Sequence, residues 1–290
     1  MADVDPARQR FLELVAEVRP ELHRYAARMT GSVADGEDIV QDTLSRAYDA
    51  LSGAEVSRLR PWLFQIAHRR ALDHLRRYDR RMGQPLKDID DIAAEGAGAE
   101  DGLIAGEAVR AALTAFLELP PTPRSCVILK DVLGHSVDEI AALLELSVPA
   151  VKAALHRGRA RLQARREPSA RPAPASPAVV RYAKLFNARD WDGVRAMLAE
   201  DVTLDLVSRL TRTGRGEVGQ YFGNYASIHD WHLVPAWLDG REVLAVVGAP
   251  DDPRPRYFVE VTFDGDRVVA IRDYRHVPYI ARDARMELLG

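Results

Sequence analysis

The sequence contains little cysteine, no long apolar run and almost no net charge. Among its 290 residues is one cysteine, Cys126, so no disulfide can form within the chain, and a disulfide-stapled secreted fold is excluded. No apolar stretch approaches the roughly 18 residues of a membrane span. The segment Met1–Pro6 is acidic and lacks the apolar stretch of a secretory signal. These absences predict a cytoplasmic protein without a membrane partner, in which Cys126 is a small core residue.

The net charge of −3 argues against a nucleic-acid-binding protein, but the charges are segregated along the chain. Two basic clusters flank an acidic segment. The first cluster comprises Arg58, Arg60, Arg69, Arg70, Arg76, Arg77, Arg80 and Arg81, and the second comprises Lys152, Arg157, Arg159, Arg161, Arg165 and Arg166. The acidic residues between them are Asp88, Asp90, Asp91, Glu95, Glu100 and Asp101. This pattern predicts two DNA-facing modules on one tether.

Periodicity and linker composition divide the chain into several domains, as its length also suggests. We expect a helical domain over residues 8–82, an acidic linker over 83–102 and a second helical domain over 103–166. A Pro/Ala-rich linker over 167–177 precedes an α+β domain over 178–288. The strand-like segments of that last domain, 202–207, 242–247, 257–263 and 268–274, predict an antiparallel sheet with a hairpin at Asp264–Asp266. The predicted fold class is multidomain, with two all-α domains followed by α+β.

A helix-turn-helix is the strongest local signal. Ser136 and Glu139 form a capping box before a short apolar stripe, and Ser147 is placed to cap a second helix after a tight break. That second helix is expected to present Lys152, His156, Arg157 and Arg159 outward, where cations meet guanine acceptors or phosphates in the major groove. The alternative is an ordinary helical hairpin with a solvated basic face. A metal site at His156 is not expected, because no second ligand lies at a useful spacing.

Two parts of the chain resemble a known family. Segments Leu119–Gly134 and Ser136–Leu162 resemble region 4 of extracytoplasmic-function (ECF) sigma factors, and segments Asp35–Tyr48 and Arg60–Arg76 resemble region 2. The resemblance covers roughly the first 165 residues. It implies a bacterial RNA polymerase sigma factor that directs promoter-specific initiation, with core RNA polymerase (its β′ clamp helices and β flap) and promoter DNA as partners. It implies no catalytic residue, cofactor or metal.

The resemblance also implies roles for individual residues. For core-polymerase binding they are Asp35, Glu37, Asp38, Gln41, Asp42 and Arg46. For the −10 element they are Arg58, Arg60, Trp62, Arg69, Arg70, Arg76 and Arg77, and for the −35 element they are Ser147, Lys152, His156, Arg157 and Arg159. Trp62 lies beside Leu63 and Phe64 and is equally a candidate core residue. The chain departs from the family at Arg69, where Asn is frequent, and at Ala153–Ala154, where Ser-Arg is frequent, so −35 recognition is expected to be weak or unusual.

The C-terminal part, residues 178–288, resembles a SnoaL-like domain through Arg181–Val202 and Ile271–His276. Such a domain is a cone in which helices and one curved sheet enclose a pocket. Candidate pocket residues are Asp205, His229, Trp231, His232, Asp273 and Tyr274. Catalysis by an Asp/His pair, ligand sensing, and docking on the sigma regions or the polymerase remain open. The plainer alternative pairs Asp205 and Asp273 with Arg209 or Arg272 on the sheet surface.

Two rival functions remain open for the whole chain. One is a SnoaL-like small-molecule enzyme or ligand sensor whose helical half is regulatory. The other is a stand-alone helix-turn-helix repressor, which leaves the first 80 residues without a role.

Overall fold

The computed structural model describes residues 6–50, 59–82, 113–164, 174–226, 231–249, 254–284 and 286–289. The chain divides into two compact units, Met1–Pro168 and Ser169–Gly290. Within the described ranges, no helix combines the length and the apolarity needed to cross a bilayer.

Three helices form the first half of the first unit: α1 (Pro6–Thr30), α2 (Val33–Ala50) and α3 (Leu59–Met82). Gly31, with φ of +73°, separates α1 from α2. The two helices pack closely, because a Cβ on Gly36 would lie 2.6 Å from the backbone nitrogen of Ala27. Inward-facing Leu22 and Phe64 are fully buried, as the helical spacing of apolar residues predicts.

The second half of the first unit contains the helix-turn-helix. A 3₁₀ turn (Leu113–Glu118) leads into α4 (Pro121–Val127), which continues as one π-helical turn (Ile128–Val132). Helices α5 (Val137–Leu144) and α6 (Val148–Gln163) follow. The capping box is confirmed: Glu139 N donates to Ser136 Oγ at 3.2 Å, and Ser136 N donates to Glu139 Oε2 at 2.7 Å. The tight turn places Glu145 at φ of 58°, and Ser147 caps α6 by accepting from Ala150 N.

The two halves of the first unit share one hydrophobic core, although the linker predicted separate modules. Arg124 of α4, only 4% exposed, donates to the carbonyl oxygen of Met29 at the end of α1. It also donates to the carbonyl oxygens of Leu117 and Leu119. Tyr25 of α1 lies 3.1 Å from Ser125, hydroxyl to hydroxyl. We call this packing of α4–α6 on α1 and α3 the docked arrangement.

The second unit is α+β, as predicted. Its helices are α7 (Pro177–Asn187), α8 (Trp191–Met197), α9 (Arg215–Ala226) and α10 (Tyr279–Asp283). Its strands are β1 (Leu198–Leu206), β2 (Leu210–Thr213), β3 (His232–Leu238), β4 (Arg241–Val247), β5 (Tyr257–Asp264), β6 (Arg267–Asp273) and β7 (Met286–Leu288), in the sheet order β2-β1-β6-β5-β4-β3-β7. The four segments predicted as strands correspond to β1, β4, β5 and β6. The predicted turn at Asp264–Asp266 joins β5 to β6.

The expectation of a fully antiparallel sheet was wrong at one pair, because β1 and β6 are parallel. A parallel neighbour requires a long connection, and here the chain runs through β2 to β5 before it returns beside β1. The other pairs are antiparallel. Strand β2 carried no alternation signal because all four of its residues are exposed.

Replacement of Arg124 by methionine is expected to lower the free energy of unfolding by about 3 kcal/mol, because several buried carbonyl oxygens lose a charged donor. Urea denaturation of the full chain measures this change. Arg161→Met, at an exposed position of α6, is the matched control and should change stability by less than about 0.5 kcal/mol. Equal effects of the two substitutions would contradict the role of Arg124.

Candidate functional site

A charged groove lies between α2 and α3. It is lined by Asp38, Ile39, Asp42, Arg46, Arg70, His74 and Arg77. The Asp42 carboxylate lies between Arg46, at 2.9 Å, and Arg70, at 2.6 Å. The groove therefore combines three residues predicted for polymerase binding with Arg70 and Arg77, which were predicted for the −10 element.

Glu37, from the same predicted set, does not lie in the groove. Its side chain is fully buried and forms an ion pair with Arg19, which holds α2 against α1. Asp35 and Gln41 are half-buried on α2. The sequence places these residues on one helix, but only the tertiary structure separates the buried Glu37 from the exposed Asp38.

Most arginines predicted to contact the −10 element are paired with acids of the same unit. Arg60 pairs with Glu21, and Arg69 pairs with Glu145 in the helix-turn-helix at 3.0 Å. Arg70 and Arg76 both contact Asp73, and Arg77 donates to the Asp73 carbonyl oxygen. Trp62 is half-buried and packs against the core, the alternative that its neighbours suggested. Arg58 lies outside the described residues.

A buried polar cluster beneath α3 was not predicted from the sequence. The Tyr25 hydroxyl lies 2.7 Å from His68 Nδ1, and the Ser125 hydroxyl lies 3.3 Å from the same nitrogen. Burial lowers the pKa of His68 to about 4 and raises the pKa of Tyr25 above its usual value. The cluster joins α1 and α3 to α4, so a neutral His68 forms part of the docked arrangement.

The second helix of the helix-turn-helix, α6, presents Lys152 and His156 as exposed side chains. Arg157 is half-buried. Arg159 differs from the outward orientation that the spacing predicted: its Nε and Nη2 atoms donate to Asp131 at 3.0 and 2.7 Å. Asp131 lies on the π-helical turn, so the bidentate pair fixes α6 against the preceding helix.

The second unit contains an aromatic cavity. It is lined by Tyr182, Phe186, Tyr221, Tyr225, Trp231, Leu233, Val246 and Val259. Fully buried Asp273 lies behind this wall, where its Oδ2 atom accepts from the Tyr221 hydroxyl at 2.5 Å and the Tyr225 hydroxyl at 2.8 Å. The three tyrosines were not predicted as pocket residues. For two of them, Tyr221 and Tyr225, the sequence offered one indication: residues four positions apart on a helix lie on the same face.

The structure brings Trp231 and Asp273 to this cavity and places three other candidates elsewhere. Asp205 pairs with Arg272 at 3.2 Å, as the plainer alternative proposed. Tyr274 stacks on Phe258 and donates to Glu260. His232 Nε2 lies 3.1 Å from Asn187 Nδ2. His229 lies outside the described residues. Across the described ranges, no group of three or more His, Cys, Asp or Glu side chains is placed to hold a metal ion.

The first unit thus contains a helix-turn-helix of the kind found in DNA-binding proteins. It also contains a separate arginine-rich helix, α3. Residues 14–81 match the family model of sigma-70 region 2, and residues 110–162 match that of sigma-70 region 4. CarQ, an RNA polymerase sigma factor of Myxococcus xanthus, is 32% identical over 55% of this chain and 90% of its own length. The chain belongs to the sigma-70 family of RNA polymerase sigma factors, in its extracytoplasmic-function group.

Two further proteins extend the comparison. The ECF sigma factor SigG of Mycobacterium tuberculosis (strain CDC 1551 / Oshkosh) is 35% identical over 65% of this chain and 60% of its own length. The chain therefore spans about 60% of the length of the first curated relatives that it matches. The crystal structure of the M. tuberculosis ECF sigma factor SigJ is similar at 21% identity and a TM-score of 0.36, covering 90% of this chain and 95% of that chain.

The half-buried His68 side chain makes stability depend on pH. Because the pKa of His68 is about 4 in the folded protein and about 6.5 in an unfolded chain, the unfolded state takes up a proton first as pH falls. The free energy of unfolding should therefore fall between about pH 6.5 and pH 4. His68→Gln should lose part of this fall, while His74→Gln on the same helix should keep it; urea titrations at pH 7 and pH 5 measure both. An unchanged pH dependence in His68→Gln would contradict this role.

Proposed function

We propose that this protein binds core RNA polymerase and directs transcription initiation from specific promoters. The observation that carries the proposal is the ordered pair of sigma-70 regions 2 and 4 in one chain. In this role the chain performs no chemistry of its own, because the polymerase forms the phosphodiester bonds. The proposed location is the bacterial cytoplasm.

The groove between α2 and α3 is the proposed contact for the clamp helices of the β′ subunit. Exposed Asp38 and the Asp42–Arg46 pair give it a mixed charge that suits a polar helical partner. Region 4 would contact the β flap. Glu37 and Arg19 support this surface from below by fixing α2 on α1.

The arginines of α3 are the proposed contacts for the −10 element. Their present partners, such as Glu21, Asp73 and Glu145, are carboxylates on the protein surface. DNA phosphates would replace these carboxylates, and exposed ion pairs of this kind contribute only about 0–1 kcal/mol each. The exchange of carboxylates for phosphates therefore costs little free energy. Exposed Lys152 and His156 of α6 would contact the −35 element in the major groove, and Arg159 would orient α6 through Asp131.

The docked arrangement cannot contact both promoter elements at once. The −10 and −35 elements lie about 25 base pairs apart, which is roughly 85 Å of duplex at 3.4 Å per base pair. Arg69 of α3 and Glu145 of the helix-turn-helix are 3.0 Å apart. We therefore propose that region 4 leaves region 2 when the chain engages polymerase and promoter.

The second unit is the proposed modulator of this activity, as a SnoaL-like domain that docks on other parts of the complex or senses a ligand. Ligand sensing is favoured by the aromatic cavity and its buried hydroxyl groups. Catalysis receives less support, because the Asp273 carboxylate accepts from two tyrosines and a backbone N–H, with no histidine among its described hydrogen-bond partners.

Charge reversal in the groove tests the polymerase contact. Asp38→Arg should weaken binding of the full chain to core RNA polymerase by roughly tenfold, because a like charge replaces a complementary one at a polar interface. Glu13→Arg, an equally exposed change on α1, is the control and should bind normally. Fluorescence anisotropy of labelled protein measures both affinities, and equal binding by the two variants would remove the groove from the interface.

Truncation of the exposed lysine on α6 tests promoter recognition. Lys152→Ala should reduce run-off transcription from a responsive promoter by roughly fivefold or more, because one base or phosphate contact is lost. Lys184→Ala in the second unit is the matched control, since it removes the same charge from an exposed helix outside region 4. Wild-type transcript levels from Lys152→Ala would argue against α6 as the −35 helix.

A further inference from the structure

A surface ion pair joins the helix-turn-helix to the arginine-rich helix α3 of the same unit. Arg69 Nη2 of α3 lies 3.0 Å from Glu145 Oε1, in the turn between α5 and α6, and the two residues are 76 positions apart in the sequence. Their side chains are 69% and 67% exposed. An ion pair as exposed as this one contributes little to the free energy of unfolding, so stability alone does not account for it.

The backbone at Glu145 is unfavourable for a glutamate. Its φ of 58° lies in the left-handed region, where a residue with a Cβ atom is strained and where helices commonly end on glycine. A glycine would close the turn between α5 and α6 at a lower cost in free energy. Because the exposed ion pair returns little of that cost, the carboxylate of Glu145 is better accounted for by what it does to Arg69 than by the folding of the turn.

Helix α5 carries further negative charge next to α3, against which it packs. Together with the turn that follows it, α5 has three acidic side chains and no basic one. At the start of α5, the pKa of Glu139 is lowered chiefly by its hydrogen bonds with Ser136 and further by the nearby His135 and Arg60. Arg60 and Arg69 of α3 therefore both lie beside acids of region 4 while it is docked.

A carboxylate beside Arg69 competes with a DNA phosphate. A guanidinium group binds either anion through the same N–H donors and at similar distances. A phosphate that approached Arg69 in the docked arrangement would also be repelled by the Glu145 carboxylate, which already lies 3.0 Å from the guanidinium. The turn between α5 and α6 therefore offers Arg69 the kind of anion that a nucleic-acid backbone would supply.

We propose that Glu145 is an internal phosphate mimic, which withholds Arg69 from DNA as long as region 4 is docked on region 2. This role rests on the proposed function, in which α3 contacts the −10 element. The free chain binds single-stranded DNA weakly, because its own carboxylate occupies the arginine. When region 4 leaves region 2, Glu145 leaves with it, and Arg69 becomes accessible to the phosphates of the −10 element.

Binding of single-stranded DNA to the free, full-length chain tests the mimicry. The probe is a fluorescein-labelled oligonucleotide of random sequence, measured by fluorescence anisotropy at low salt, where phosphate contacts are strongest. Glu145→Gln should bind this probe roughly three- to fivefold more tightly than the wild type, because the anion that competes for an exposed arginine is lost. Glu13→Gln removes the same charge from an exposed position of α1 and should leave the affinity unchanged.

A double substitution separates the release of Arg69 from a general effect of charge. Arg69→Gln/Glu145→Gln should bind the probe no more tightly than Arg69→Gln does, because the gain depends on that arginine. The proposal would be overturned by a gain in Glu145→Gln no larger than that in Glu13→Gln, by a gain of the same size without Arg69, or by no binding of the probe to any variant.

Run-off transcription with core RNA polymerase distinguishes a failure of this proposal from a failure of the sigma function. Glu145→Gln should give wild-type transcript levels, because region 4 is undocked in the complex with polymerase. Normal transcription by both proteins, with no gain in DNA affinity, would refute the mimicry and retain the sigma function. A gain in DNA affinity that depends on Arg69, without transcription by either protein, would retain the competition at Arg69 and contradict the sigma function.

Discussion

A buried guanidinium joins the two sigma regions of the first unit. The last carbonyl groups of a helix have no partner within it and carry partial negative charge. Arg124 meets one such group at Met29, where α1 ends, and further carbonyl oxygens at Leu117 and Leu119. One side chain thus donates hydrogen bonds to backbone carbonyl oxygens of both regions. The position of the helix-turn-helix on region 2 depends on this contact and on the shared core around it.

The contacts across the docked arrangement differ in how easily they break. The Arg69–Glu145 pair is more than 65% exposed on both sides and is inexpensive to separate. The contacts of Arg124 and the Tyr25–His68–Ser125 cluster are buried, so their separation exposes groups that depend on one another. Under the proposed function, the free protein keeps region 4 docked, and binding to the polymerase would supply the free energy that releases it.

Local features of the fold could be predicted from the sequence, and long-range pairings could not. The Ser136 capping box and the Ser147 cap involve residues three positions apart, so adjacent sequence encodes them. The Arg159–Asp131 pair joins residues 28 positions apart, and each has an equally plausible solvent-exposed alternative. The same limit applies to the second unit, where Trp231 and Asp273 were predicted as pocket residues and Tyr182 was not. Which face of a strand or helix lines a cavity is decided by the tertiary structure.

The most direct measurement is the distance between spin labels in region 2 and region 4, by pulsed electron paramagnetic resonance. The labels are attached at Glu13→Cys on α1 and Gln163→Cys on α6, both exposed positions. Native Cys126 is buried and its pKa is raised to about 12 by that burial, so its thiol reacts little. The sigma-factor account predicts a short distance in the free chain and one longer by tens of ångströms with core RNA polymerase and promoter DNA. An unchanged distance, or no complex with polymerase, would contradict it.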